Sequence, residues 1–189
     1  MDSSINNSGG YNKKPTSFRE DKLVGSFKSD QKEATKREIE CVRFLNRYSR
    51  FKTAIHAPEG RHMGDMYDPI RKEWSEIKTD KYNSGNFFIE RYSKFEEKKQ
   101  GGPWQYSKTR FWIQYHYNQG MLFLFKTKEL LLTMEALIKD KTMDSNLLRP
   151  HTVPPNKTGG NYHTFGYVVN QKFLCEKVSV KVIPLKDDE

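Results

Sequence analysis

The segment from Thr109 to Tyr117 places side chains of complementary chemistry on one face of a predicted β-strand. Alternation along a strand puts Phe111, Ile113, Tyr115 and Tyr117 on one face. The opposite face carries Arg110, Trp112, Gln114 and His116. An indole ring offers a flat surface on which an unpaired base stacks, worth about 1–3 kcal/mol per base. Its polar neighbours offer hydrogen bonds and positive charge.

Neighbouring segments add aromatic and basic residues of the same kinds. Tyr92 and Phe88 lie on another predicted strand, and Lys98 and Lys99 follow it. Phosphates pair with cations and unstacked bases pair with flat rings, so basic residues interleaved with aromatic ones favour a single-stranded nucleic acid. The predicted nucleic-acid-binding residues are Arg110, Trp112, Gln114, His116, Trp104, Tyr106, Lys108 and Lys94. The alternative is that each tryptophan belongs to the core, beneath the first helix or a linker.

Two other sets of side chains have types that could do chemistry. His62, Asp65 and Asp68 are spaced three residues apart and would share one face of a helix that could hold a divalent metal. The surrounding glycines and proline favour a loop instead, so no metal site is expected. His116 and His163 could form an acid–base pair in a metal-free phosphodiesterase. The sequence has no GxGxxG, P-loop, HExxH, CxxC or GxSxG motif, so we expect a protein that is not an enzyme and has no cofactor.

The elements that would position these residues follow from periodicity and turn signals. The predicted elements are a helix over 31–47, strands over 51–55 and 86–95, a hairpin over 109–125, a helix over 128–141, and strands over 162–170 and 176–184. Long loops are expected near 57–80 and 142–161. This order predicts an α+β fold, with a predominantly antiparallel sheet packed by one or two helices on one side and partly open on the other.

An apolar stripe on the second predicted helix indicates where the core lies. Leu130, Met134, Leu137 and Ile138 fall on one helix face, with Leu131 at its edge. Residues 1–28 show no apolar period and carry several basic residues, which predicts a flexible basic tail. Residues 29–185 are predicted to form a single domain.

Composition limits the class of protein and of partner. There are 33 Lys and Arg residues against 24 Asp and Glu, a net charge of +9. Aromatic residues make up 13% of the chain although the mean hydropathy is −0.89, which favours a folded domain with an aromatic core. No apolar run is long enough to cross a membrane, no secretory signal is evident, and two cysteines suit a reducing compartment. We expect an intracellular protein in the nucleus or an organelle, with the nucleus favoured.

The run from Gly85 to Leu137 resembles the Whirly-type single-stranded DNA-binding proteins of plants and the related guide-RNA-binding proteins of kinetoplastids. The segments that carry the resemblance are Gly85-Asn86-Phe87-Phe88-Ile89, Trp104-Gln105-Tyr106-Ser107-Lys108, Phe111-Trp112-Ile113 and Met121-Leu122-Phe123, followed by the helix. Together with the late strands, about half of the chain is covered. The resemblance implies a sheet that binds single strands.

Charge, aromatic pattern and resemblance together predict a non-catalytic nucleic-acid-binding protein that prefers single-stranded DNA or RNA. The alternative is a structural subunit of a larger assembly, one that itself handles nucleic acid, whose open sheet face binds protein partners. Trp, Tyr, Phe and Met are also enriched in the cores of protein interfaces. Both interpretations allow oligomerisation, and neither involves a membrane.

Overall fold

The computed structural model describes residues 32–57, 63–95, 98–101, 104, 108–153 and 162–185, and for 93–95, 98–101 and 162 it describes the backbone alone. The predicted tail over 1–28 lies outside the described residues. So do His62, Tyr106 and residues 154–161.

Three helices and ten strands are described. In chain order they are α1 (32–45), β1 (Ile55–His56), β2 (Met66–Asp68), β3 (Glu73–Asp80), β4 (Asn86–Phe95), β5 (Lys98–Gly101), β6 (Phe111–His116), β7 (Met121–Lys126), α2 (Thr127–Lys139), β8 (Leu148–Val153), β9 (Tyr162–Asn170), α3 (Gln171–Lys177) and β10 (Val180–Pro184). None of the described helices is long and apolar enough to cross a membrane.

The strands form two sheets. One has six strands in the order β1-β2-β3-β6-β7-β10, and the other has four in the order β5-β4-β9-β8. Every pairing is antiparallel except that of β3 with β6. The predicted α+β class with a predominantly antiparallel sheet is therefore confirmed.

One face of the six-stranded sheet is covered by α1. Ile77, Ile113 and Leu124 of the sheet pack there with Val42 and Leu45 of the helix, and all five are buried. The helix was predicted over 31–47 and is observed over 32–45, with Val42 and Leu45 on its buried face. The predicted strand over 51–55 is instead a 3-10 turn, Ser49–Phe51, followed by the short β1.

The opposite face is covered too, by the four-stranded sheet and α2. Trp112 and Phe125 of the six-stranded sheet pack against Phe87 of β4 and Met134 of α2 in one apolar cluster. Leu130 and Leu131 are also buried in it, whereas Leu137 and Ile138 are partly buried against it. The prediction that one sheet face stays open is wrong, because β4 and α2 pack onto it.

Three segments differ from the sequence-based expectation. The loop predicted near 57–80 contains β2 and β3, and the loop near 142–161 contains β8. The strand predicted over 176–184 begins only at Val180, because its first two residues belong to α3, which starts after Asn170, whose side chain accepts a hydrogen bond from the Phe173 N–H at 3.0 Å.

Candidate functional site

The face predicted to bind nucleic acid lies in the protein interior. Trp112 and His116 are 0% exposed and Gln114 is 2% exposed. The rings of Phe87 and Phe123 lie 5.2 and 5.5 Å from the His116 ring, and the Gln114 amide donates to the Phe88 carbonyl at 3.3 Å. Covered side chains cannot stack on a base, so the predicted binding role of these three residues is wrong.

The remaining predicted residues are divided between surface and interior. Arg110 and Lys108 are exposed, with the Arg110 Nε 3.9 Å from a Glu73 carboxylate oxygen. Trp104 is 9% exposed, and its indole N–H donates to Glu135 at 3.5 Å. The Lys94 side chain and all of Tyr106 lie outside the described part of the structure. Arg110 and Lys108 thus remain available to a phosphate.

The proposed histidine pair is not assembled. His116 is enclosed between aromatic rings, and among the described residues neither of its ring nitrogens has a hydrogen-bond partner. His163 lies on β9, with its ring 6.2 Å from that of Phe165. Burial lowers the pKa of His116, and the nearby charge of Asp80 offsets only part of this effect. A neutral, enclosed imidazole cannot exchange protons with a substrate at His163.

Asp65 and Asp68, also singled out by spacing, serve different ends. The Asp68 carboxylate accepts hydrogen bonds from Thr53 and from the Arg71 side chain and N–H, each at 3.0 Å, and these lower its pKa against the effect of burial. Asp65 instead accepts from the Ile77 N–H of β3 at 2.8 Å. Its carboxylate therefore lies beside β3, away from Asp68.

Beside Asp65, β3 contributes a carboxylate and an amine. Glu76 and Lys78 are two residues apart and share a sheet face, and the Lys78 Nζ lies 2.8 Å from Glu76 and 3.3 Å from Glu90 of β4. We call Asp65, Glu76, Lys78 and Glu90 the carboxylate–lysine cluster. The Lys78 side chain is 29% exposed and that of Glu76 is 13% exposed, so solvent reaches both.

Electrostatics at the cluster are strongly perturbed. Burial and the nearby charge of Glu76 raise the pKa of Asp65 to about 7, with Lys78 opposing and Glu38 of α1 adding to the rise. Burial lowers the pKa of Lys78, but Glu76, Glu90 and Asp65 outweigh it and raise that pKa above its usual value. Three carboxylates around one ammonium leave an excess of negative charge that a further cation would relieve. Perturbed groups gathered in this way are typical of functional sites.

Aromatic and basic side chains border the cluster. Tyr67 of β2 and Trp74 of β3 are partly buried, with ring centroids 4.6 Å apart, and strand alternation places them on the face of Glu76. Arg71 and Lys72, in the turn between β2 and β3, and Lys81, just after β3, are exposed. A polyanion could thus be held at both ends of β3.

Sequence reasoning missed this cluster because glycine and proline led to a loop over 57–80. The available signal was the alternation from Trp74 to Asp80, with Ser75, Ile77 and Thr79 on one face and charged residues on the other. Only Ile77 is a large aliphatic residue, so the apolar pattern is weak. Contact with Asp65 and Glu90 depends on strand packing and leaves no mark in the sequence.

Comparison with known proteins gives no relative for this chain. No protein-family model matches the sequence, and no curated protein matches it significantly. The resemblance to Whirly-type proteins stays a prediction, and the function is inferred from the residues themselves.

Proposed function

We propose that the protein binds nucleic acid and hydrolyses phosphodiester bonds at the carboxylate–lysine cluster, with a divalent metal ion held by Asp65 and Glu76. The observation that carries the proposal is the proximity of Asp65, which accepts from the Ile77 N–H of β3, to Glu76 and Lys78, which share a partly exposed face of that strand. This proposal replaces the expectation of a non-catalytic protein and keeps the expected nucleic-acid partner.

The donor set suits a hard cation. Mg²⁺ prefers oxygen ligands and is commonly held by one or two carboxylates, with water and substrate phosphates completing its shell. Asp65 and Glu76 supply such carboxylates, and no third protein ligand is required. Within the described residues no group of three His, Cys, Asp or Glu side chains has a metal-binding arrangement. A site that shares its metal with the substrate accounts for this.

Each member of the cluster has a role that follows from its chemistry. A bound metal ion would polarise the phosphoryl group and lower the pKa of a water ligand. Lys78 carries an ammonium that can donate to a phosphate oxygen and offset the negative charge that develops there. Glu90, 3.3 Å from Lys78, holds that ammonium in position from the neighbouring sheet.

The charge of the molecule favours a nucleic-acid substrate over a small phosphate ester. The chain carries a net charge of +9, and exposed cations lie at both ends of the strand that bears Glu76 and Lys78. A field of this sign attracts polyanions and makes binding depend on salt. The Tyr67–Trp74 pair adds a flat surface beside the cluster.

The test is cleavage of labelled single- and double-stranded DNA and RNA in Mg²⁺ or Mn²⁺, with EDTA as the metal-free arm. We expect Asp65→Asn and Glu76→Gln each to lower the cleavage rate about 100-fold or more, equivalent to about 2.7 kcal/mol of barrier. Both variants should still bind oligonucleotide in EDTA. Glu73→Gln is the matched control, because Glu73 lies on the same strand but on the opposite face, where it contacts Arg50. It should cleave at the wild-type rate.

Three outcomes would overturn the hydrolysis proposal. Cleavage that survives Glu76→Gln would come from elsewhere. Binding without cleavage in any metal would restore the non-catalytic interpretation. A protein that neither binds nor cleaves nucleic acid would favour the structural-subunit alternative. Affinity purification with and without nuclease would then test that alternative.

A further inference from the structure

The outer end of the four-stranded sheet contains a cavity of about 320 Å³. Its walls include Arg91 and Tyr92 of β4, Thr152 of β8, and Phe165 and Tyr167 of β9. We call it the β4–β9 cavity. Its volume lies at the lower end of the range for small-ligand sites, and its lining combines aromatic rings with a few polar groups, as such sites do.

Two of the rings form a stacked platform. Tyr92 and Phe165 are directly paired across β4 and β9, with centroids 4.8 Å apart and an angle of 23° between the ring planes. An irregularity in the register between Glu90 and Tyr92 accompanies this pairing. Bulges of this kind re-aim side chains. Both residues are partly exposed and line the cavity, so a flat group in the cavity can lie against the pair.

Polar groups beside the platform can recognise the rest of a nucleotide. The exposed Arg91 guanidinium donates to the Tyr167 hydroxyl at 3.3 Å and lies 5.6 Å from the centroid of the Trp104 ring. A guanidinium has five N–H donors, so these contacts leave donors for a phosphate. The described contacts of this arginine are both with aromatic residues.

Lysine positions continue along the strands beyond Tyr92. Lys98 and Lys99 lie on β5, which pairs with β4, and Lys99 is opposite Lys94. A single strand that leaves the cavity along β4 would pass these three positions.

We propose that the β4–β9 cavity binds an unpaired nucleobase by stacking on the Tyr92–Phe165 pair while Arg91 contacts the adjacent phosphate. This inference rests on the proposed nucleic-acid function and specifies the form of the substrate. A base within a duplex is stacked and paired, so this cavity gives the protein a preference for single strands.

The experiment measures binding of a fluorescent oligothymidylate and of a duplex of the same length, in EDTA so that no cleavage occurs. We expect Tyr92→Leu and Phe165→Leu to weaken single-strand binding about 5- to 100-fold while duplex binding stays within about twofold. Leucine keeps the apolar volume but removes the flat ring. Arg91→Ala should flatten the salt dependence of single-strand binding.

Tyr48→Leu is the matched control, because Tyr48 is a partly buried aromatic residue that packs with Phe44 on the α1 side of the six-stranded sheet. It should bind as wild type does, and melting curves should show every variant folded. Equal losses for both substrates, or no loss in either platform variant, would overturn the cavity assignment. Cleavage abolished by Glu76→Gln together with unaffected platform variants would refute this inference alone. Single-strand binding that depends on Tyr92 without any cleavage would refute the hydrolysis proposal alone.

Discussion

Residues that are direct neighbours in the pairing of β3 with β6 lie in opposite environments. Glu76 is paired with Trp112 and Lys78 with Gln114. The β6 side chains are completely or almost completely buried, whereas those of β3 are charged and partly exposed. The closed core at β6 and the partly exposed cluster at β3 therefore lie on adjacent strands of one sheet.

The boundary between these environments is set by β4. From one face of β4, Phe87 and Ile89 enter the core cluster that contains Trp112. Glu90 contacts Lys78 and belongs to the opposite face by alternation. The second sheet therefore covers β6 and borders β3, and the same strand both closes the core and completes the cluster. Substitutions of the buried β6 side chains should therefore affect stability, whereas substitutions of the charged β3 side chains should affect activity.

The largest difference is expected between Trp112→Ala and Glu76→Gln. Removing the buried indole should cost about 3–5 kcal/mol of unfolding free energy because it leaves a large cavity. Glu76→Gln should change stability by less than about 1 kcal/mol, since it removes one charge from a repulsive, partly solvated group. Denaturant titration of both variants provides the measurement. A mild effect of Trp112→Ala would mean that β4 does not close over β6.

A second pair examines the helix that covers the same core. Met134 is buried in the cluster with Trp112, whereas Leu132 on the same helix is 58% exposed. Met134→Ala should cost about 2–5 kcal/mol and Leu132→Ala less than about 0.5 kcal/mol. Thermal melts would show the contrast, and equal shifts would place the wrong face of α2 in the core.

His116, at the buried end of β6, should also make stability depend on pH. Burial lowers the pKa of His116, so as pH falls below about 6.5 the unfolded chain takes up a proton that the folded chain does not. Its contribution to stability is therefore complete above that range and is lost on acidification. His116→Phe should flatten the fall in melting temperature between pH 7 and pH 5.

The comparison is made between variant and wild type at each pH. Asp65, with its pKa raised to about 7, acts in the opposite direction, because the folded state holds the proton more tightly. An unchanged pH profile in His116→Phe would show that the imidazole is solvated. Within the described part of the chain, the titratable group that acts on His116 is Asp80 of β3, its partner in the register.

The smallest effect on stability is expected at Arg110, the exposed residue just before β6. Arg110→Ala should change stability by less than about 0.5 kcal/mol, because its contact with Glu73 is long and solvated. It should flatten the salt dependence of oligonucleotide binding if Arg110 contacts a phosphate. Titrations at several salt concentrations test this, and an identical slope would remove Arg110 from the interface.

Local pattern was sufficient for much of the fold. Strict alternation from Phe111 to His116, a glycine turn and a helical stripe predicted the β6–β7 hairpin and α2, and both are present. The pattern failed at β3, where charge replaces the apolar residues of a typical strand. A strand with a cluster of charged residues on one face has fewer apolar positions, so its alternation is harder to recognise in the sequence.

By itself, the sequence determined which side chains of β6 share a face, since alternation is a property of the extended backbone. It also determined a net charge of +9, the sign of charge that attracts polyanions. Only the tertiary structure decided that the face of Trp112 is interior and that Asp65, Glu76 and Lys78 meet. Burial and proximity depend on which distant segments pack together. Here β4, about 20 residues before Trp112, covers the side chains of β6 and leaves Glu76 and Lys78 of β3 partly exposed.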